Sequence, residues 1–315
     1  MVEGKQRVLV AGCGAIGSVF ACMLAQAGHG VSVLARPELA ALAAGRGLEV
    51  VGIWGRHRCA PLVAASSAGE LGGTYDAVLV ACKSFDTAAL AVQLAGSGVE
   101  AGLLISTQNG LGNVEAIQAV YGAGRVLAAR VIFGAAWESG GVVRVTVEAE
   151  PVLLGHLAGG TDPRADTWAG IVDSSGINCR PSRQVAGALW GKVFYNAALN
   201  PLGAIHGLSY GELAADSGYR DRMDRAIGEA FAVARAEGVE MPWAGAAEYL
   251  EVFYERLVPR TAGHRSSMLQ DIENGKPTEI DAITGQICRR GAEAGIETPE
   301  NERLMAAVKE IEEAR

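Results

Sequence analysis

The chain has 315 residues, enough for two domains with full cores, and its net charge of −8 argues against a general nucleic-acid binder, although a small anion can still be bound locally. Half of the residues are hydrophobic, mostly Ala, Val and Leu, yet no run of about 18 apolar residues lacks a charge or turn signal, so no membrane span is expected. Six scattered cysteines (Cys13, Cys22, Cys59, Cys82, Cys179, Cys288), with no C-x-x-C pair, fit a reducing cytoplasm and point to neither disulfides nor a metal.

The opening M-V-E-G-K-Q-R-V-L-V leads straight into a strand, with no apolar leader core or cleavage site, so no export signal is expected. Arg7–Ala11 is a short apolar, β-branched run that predicts a buried parallel strand. Gly12-Cys13-Gly14-Ala15-Ile16-Gly17 follows at once, residues 18–27 read as a helix stopped at Gly28, and residues 31–34 as a second strand. A G-x-G-x-x-G run alone is weak, but placed inside a βαβ unit it is specific for a dinucleotide. Gly12 would make the tight turn, Gly14 would admit the pyrophosphate to the backbone, and Gly17 would let helix and strand pack closely. The helix N-terminus would supply N–H groups to the phosphates.

The second strand ends Leu34-Ala35-Arg36-Pro37, with Arg36 where an NAD site usually carries an acid for the ribose 2′-hydroxyl. A guanidinium suits a 2′-phosphate, so NADP(H) is expected over NAD(H); an ordinary surface arginine is the alternative. Residues 48–54 and 58–63 suggest a small hairpin turning at Gly55. Residues 76–81 and 103–106 read as further buried strands, and ligands in open α/β sheets lie off such strand ends. Lys83 follows the first and Asn109 the second. Lys83 can meet phosphate, ribose or carboxylate, or be a solvated loop lysine. Asn109 can bond nicotinamide or substrate, or simply favour the turn before Gly110. Residues 125–132, 142–147 and 152–154 read as strands, with a reversal at Ser139-Gly140-Gly141, and residues 162–172 as the last helix of this half. The break falls near residues 178–183, giving domains of 1–181 and 182–315.

Beyond it the periodicity is helical. In W-G-K-V-F-Y-N-A-A-L-N-P (190–201), Lys192, Asn196 and Asn200 stand four apart and share one helix face, among Val193, Phe194, Ala197, Ala198 and Leu199. A buried ammonium and two buried amides are costly unless something answers them, and a substrate is the expected partner. The competing reading has Lys192 snorkelling to solvent and both asparagines stapling neighbouring helices. Pro201 predicts an end or kink near Asn200. Residues 223–237 place Ile227, Phe231 and Ala234 on one face and stop at Gly238. The last helix is expected to begin with Thr298 as N-cap and Pro299 at its first position, with a seam of Met305, Val308 and Ile311. A helical domain behind a dinucleotide half predicts a substrate cleft between the two.

G-C-G-A-I-G, C-K-S-F-D, Q-N-G-L-G-N, L-W-G-K-V-F-Y-N-A-A-L-N-P-L, S-S-M-L-Q-D-I and T-E-I-D-A-I-T-G together resemble the ketopantoate reductase (2-dehydropantoate 2-reductase) family over nearly the whole length. The resemblance implies an α/β Rossmann-type N-terminal domain followed by an all-α C-terminal domain like that of 6-phosphogluconate dehydrogenase. It implies NADPH-dependent reduction of ketopantoate to pantoate in the pathway to pantothenate and coenzyme A. Lys192 corresponds to the catalytic lysine, Asn196, Asn200 and Ser267 to substrate contacts, and Glu279 to a glutamate lining cofactor and active site. Gly12, Gly14, Gly17, Lys83, Asn109 and Ala136 correspond to cofactor contacts; Cys13, Ala15 and Ile16 complete the turn, and Asn109 also reaches the substrate. His264 stands at a family substrate position usually held by asparagine, as does Tyr210, and residues 133–137 lack a histidine expected there. These departures leave the substrate open between ketopantoate, other 2-oxo acids and bulkier ketones.

In the expected chemistry NADPH gives hydride to the ketone carbon and Lys192 protonates the oxygen. Free lysine titrates near ~10.4, and burial would bring it closer to a useful acid. Glu279 would orient Lys192 or grip a substrate hydroxyl; a helix-start carboxylate is its plainer reading. Two other readings stand beside this one: an NADPH-binding regulator without catalysis, and a related hydroxyacid or polyol dehydrogenase. The expected partner is a small 2-oxo acid, with no nucleic acid, membrane or metal; a homodimer is an assembly the sequence neither requires nor excludes.

Overall fold

The computed structural model describes residues 4–314; Met1–Glu3, the start of the stretch read as running into the first strand, and Arg315 lie outside the described residues. The chain divides into two compact units, Met1–Gln108 with Asn113–Val185, and Asn109–Gly112 with Ala186–Arg315. Among the described residues the first unit carries twelve strands: β1 (Arg7–Ala11), β2 (Gly30–Leu34), β3 (Glu49–Gly52), β4 (His57–Arg58), β5 (Val63–Ala65), β6 (Gly73–Val80), β7 (Val99–Ser106), β8 (Val126–Arg130), β9 (Phe133–Trp137), β10 (Val142–Glu148), β11 (Val152–Gly155) and β12 (Cys179–Pro181). Its helices are α1 (Ala15–Gln26), α2 (Pro37–Arg46), α3 (Thr87–Ala95), α4 (Asn113–Tyr121) and α5 (Pro163–Ser174).

Eight strands form one sheet in the order β12-β11-β8-β7-β6-β1-β2-β5. From β5 to β8 all pairs are parallel, and β11 runs antiparallel to β8. The order reverses between β1 and β6, the switch point at which doubly wound sheets bind ligands beyond their strand ends. The remaining strands form a second sheet, β4-β3-β10-β9. Helix α1 packs against strands of both sheets, so its residues Gly17–Leu24 are all buried. A helix covered on opposite sides has no solvated face to keep polar, which is why V-F-A-C-M-L is apolar throughout.

The structure corrects several expectations. Helix α1 starts at Ala15, not residue 18, because the glycine turn itself supplies the first helical turn, with Gly14 as N-cap. The hairpin is real but short: β3 pairs antiparallel with β4, which ends at Arg58. Val63, expected in the hairpin, instead opens β5 and pairs beside β2 at the sheet edge. Pro61, which has no N–H to give a ladder, separates the two strands. Residues 178–183, read as the break between the domains, contain a further strand, β12, that pairs with β11.

The second unit is helical: α6 (Val185–His206), α7 (Tyr210–Ala215), α8 (Ser217–Ala236), α9 (Ala246–Val252), α10 (Val258–Arg260), α11 (Ser267–Glu273), α12 (Thr284–Ala294) and α13 (Pro299–Glu313). Its aromatic core joins Phe194 of α6 to Trp190, Phe231 and Tyr249, with ring centroids 5.2–5.8 Å apart. Helix α6 does not end near Asn200: it carries Pro201 inside and runs on to His206. Burial of Leu199 and Leu202 on both sides of the proline holds the helix together across the missing N–H. Thr298 occupies the N-cap of α13, but its side chain makes no cap bond. The Glu229 carboxylate of α8 takes the N–H groups of Glu300 and Asn301 instead, at 2.8 and 2.9 Å. The seam of α13 is centred on Leu304 and Val308; Met305 and Ile311 are only half-buried.

Candidate active site

In the first unit the turn after β1 is built around two glycines that admit no side chain. Gly12 has φ +93°, and a Cβ there would stand 2.3 Å from the Cys82 nitrogen; one on Gly17 would stand 2.4 Å from the Gly12 oxygen. Gly12 and Cys13 both donate to the Leu34 carbonyl, at 2.9 and 3.3 Å, tying the turn to the end of β2. Gly14 is different. Its φ is −72°, and a Cβ there would meet nothing within 4 Å. The protein therefore has no internal need of glycine at Gly14, and the space suits a group from outside. No side chain caps α1 and no acid lies in its first turn, so its N–H groups are left to an anion. Ala15 and Ile16 are half-buried beside that opening. The Cys13 thiol is buried 3.1 Å from the Ser18 hydroxyl, and burial pushes its pKa up to about 12, so it remains a neutral packing group.

Arg36 is exposed at the N-cap of α2, directly beyond β2. Lys83 is half-buried beyond β6, its carbonyl accepting from the Asp86 N–H at 3.0 Å. Around it lies a buried polar network that motif and spacing do not reveal. Thr87 donates to Asn113 Oδ1 at 2.8 Å, while Gln108 Nε2 donates to Thr87 Oγ1 at 2.6 Å and to the Cys82 carbonyl at 3.0 Å. Ser106 donates to Gln108 Oε1 at 3.1 Å, closing the set. These bonds fix the carboxyl ends of β6 and β7 where a ligand would sit. Apart from Ser106 and Gln108, the partners lie more than 20 residues apart in sequence, and only C-K-S-F-D and Q-N-G-L-G-N as motifs could have flagged the region. Ala136 lies elsewhere in this unit, on β9 of the four-stranded sheet, opposite Arg144.

In the second unit, α6 presents the polar stripe. Lys192 is half-buried and donates to Asn109 Oδ1 at 2.5 Å. Asn109 is brought there by a loop that the helical unit holds firmly. The Leu111 N–H donates to the Ala282 carbonyl at 2.8 Å, and Gly110, at φ +79°, approaches so closely that a Cβ would stand 2.3 Å from the same oxygen. Glu279 begins this turn, half-buried, with its own carbonyl accepting from Ala282 and Ile283. Asn196 is 8% exposed, and its side-chain amide has no hydrogen-bond partner among the described residues. Asn200 is buried and accepts a 2.8 Å bond from the Tyr210 hydroxyl.

Ser267 is exposed in the first turn of α11. Its neighbour Ser266 is fully buried, caps that helix by accepting from the Leu269 N–H at 3.0 Å, and reaches the Asn200 carbonyl at 3.4 Å. His264 is half-buried with its ring 5.1 Å from that of Tyr210, and burial lowers its pKa below the usual histidine value. The helical unit thus holds two sets of contacts, Lys192 with Asn109, and Asn200 with Tyr210 and, through its ring, His264. Tyr210 and Ser266 were not among the expected site residues; Tyr210 stood out only as a departure from the family pattern.

A doubly wound sheet with an uncapped glycine turn at its switch point, followed by a helical unit that holds a half-buried lysine against an asparagine, defines a dinucleotide-dependent oxidoreductase. A family model described as "Ketopantoate reductase PanE/ApbA" matches residues 8–159, and its companion, "Ketopantoate reductase PanE/ApbA C terminal", matches residues 184–312. The chain belongs to the ketopantoate reductase family, NADP-dependent oxidoreductases acting on CH–OH donors. A 2-dehydropantoate 2-reductase of Aquifex aeolicus (strain VF5) is 36% identical over 304 residues, covering 96% of each chain. The crystal structure of a PanE/ApbA family ketopantoate reductase from Ralstonia eutropha JMP134 superposes with a TM-score of 0.87 at 32% identity, over 98% of this chain and 99% of that one. A D-mandelate dehydrogenase solved with NADH and anilino(oxo)acetate gives the same TM-score at 25% identity, over 98% and 99%.

Proposed function

We propose that the protein reduces a 2-oxo acid, ketopantoate foremost, to the 2-hydroxy acid with NADPH, and that Lys192 delivers the proton. The observation that carries this reading is the Lys192 ammonium, half-buried on α6 and held by Asn109 Oδ1 at 2.5 Å. A bond from an ammonium to an amide oxygen orients the charge, which suits a group that must meet a developing alkoxide. NADPH, when bound, supplies the hydride. The glycine turn and α1 N-terminus fit its pyrophosphate, Arg36 its 2′-phosphate, and Lys83 its phosphate or ribose. Asn196, Asn200, Ser267 and His264 would hold the carboxylate and hydroxyl, with Glu279 steadying the lysine or the substrate. Six free cysteines and the absence of paired spacing suit a reducing, cytoplasmic setting.

A second reading, an aryl 2-oxo acid as substrate, is favoured by the ring-lined surroundings of Asn200, where Tyr210, Tyr195 and His264 pack together. Nicotinamide oxidation followed with ketopantoate and with an aryl 2-oxo acid, each with NADPH and NADH, tests both. Ketopantoate turnover with NADPH, preferred about tenfold or more and losing that preference in Arg36→Ala, is the expected result. No turnover with any ketone would leave a binding or sensing protein.

A further inference from the structure

Tyr210 is 3% exposed and is held from both sides. Its N–H donates to the His264 carbonyl at 3.1 Å, and the next N–H, of Gly211, to the Ala262 carbonyl at 2.7 Å. Its ring meets those of His264 and Tyr195 edge-on at 5.1 and 5.6 Å, and the Tyr195 hydroxyl lies 2.5 Å from Thr261 Oγ1. The Tyr210 hydroxyl then has one partner among the described residues, Asn200 Oδ1 at 2.8 Å. Burial raises its pKa well above that of a free phenol, so the group keeps its proton and acts as a donor. A carboxamide has one acceptor end and one donor end. With its oxygen engaged by Tyr210, Asn200 is left with two N–H donors, which meet no protein acceptor among the described residues.

We propose that Tyr210 is a positioning residue that locks the Asn200 amide with its NH2 group turned to the substrate, so that Asn200 selects a carboxylate over a neutral carboxamide. The proposal rests on the reading of the protein as a 2-oxo acid reductase and deepens it. A carboxylate oxygen accepts from the locked NH2; a carboxamide that turns its own NH2 there faces donor against donor. With the lock removed, the Asn200 side chain can rotate and present its oxygen to such a group instead.

The test compares kcat/KM for a 2-oxo acid with that for the corresponding 2-oxo amide. Wild type should prefer the acid by about tenfold or more, and Tyr210→Phe should erase most of that preference through a higher KM for the acid. NADPH affinity and kcat for the acid should change by less than about threefold. Asn200→Asp keeps the bond from Tyr210 but turns a carboxylate oxygen to the substrate, so its preference should reverse toward the amide. This variant tests the orientation even if Tyr210→Phe fails to fold. An unchanged acid-to-amide ratio in Tyr210→Phe, or a retained acid preference in Asn200→Asp, overturns the proposal while leaving the reductase reading intact. A wild type that reduces no 2-oxo acid overturns both.

Discussion

At the scale of single residues, the site turns on which buried polar groups are answered by protein. Lys192 is answered by Asn109 and Asn200 by Tyr210, while the Asn196 side chain has no partner among the described residues. If Lys192 is the proton donor, Lys192→Ala should lower kcat by about 10²–10⁴-fold with NADPH affinity preserved. Asn109→Ala should cost less, about 10–100-fold, since the ammonium survives but loses its orientation. Steady-state rates with NADPH fluorescence titration separate the two; near-normal turnover in Lys192→Ala would remove the acid assignment. The stripe itself is legible in the four-residue spacing, because helix geometry is local. Its partners are not: Asn109 lies 83 residues from Lys192, and nothing in the spacing pairs them. Ser266 and Ser267 are likewise indistinguishable as a dipeptide, and only folding buries one and exposes the other.

At the scale of elements, the βαβ turn was readable because glycine, strand run and helix run coincide, and its three glycines differ in a way that yields a prediction. Gly12→Ala and Gly17→Ala place a Cβ within 2.3–2.4 Å of backbone atoms and should lower stability by several kcal/mol. Gly14→Ala adds a methyl to open space and should leave the melting temperature close to wild type while weakening NADPH binding by tenfold or so. Equal NADPH affinity in Gly14→Ala would mean that no ligand approaches there. Where the structure departs from a local signal, tertiary packing overrides it. Pro201 signals an end or kink, yet buried leucines on either side carry α6 on to His206; Thr298 does hold the N-cap position of α13, but Glu229 from another helix, not its side chain, takes the N–H groups. Val63 stands next in sequence to the hairpin, yet beyond Pro61 it pairs with the larger sheet.

At the scale of the molecule, three histidines couple stability to pH in the same direction. The His29 ring accepts the Gln6 N–H on Nδ1 at 3.1 Å, so protonating that nitrogen breaks the bond, and burial lowers its pKa. His206 is lowered by burial and by the nearby Arg222 charge, and His264 by burial against Tyr210. A folded-state pKa below the ordinary value of about 6.5 means that the unfolded chain takes up more protons under that pH. The contribution of these groups is therefore complete above about 6.5 and is lost as pH falls through the interval down to their folded values. Melting temperature should drop between pH 7.5 and pH 5.5, by about 2–4 °C for each kcal/mol lost. Carboxylates stabilised by partners, such as Asp162 beside Arg164 and Glu212 beside Ser209, act in the same sense but at lower pH, around or below the usual carboxylate range. The two contributions can thus be separated by replacing His29, His206 and His264 with Gln together. That variant should show a flatter profile between pH 7.5 and pH 5.5 and an unchanged acid limb; the wild-type slope persisting in it would show that other groups set the stability there.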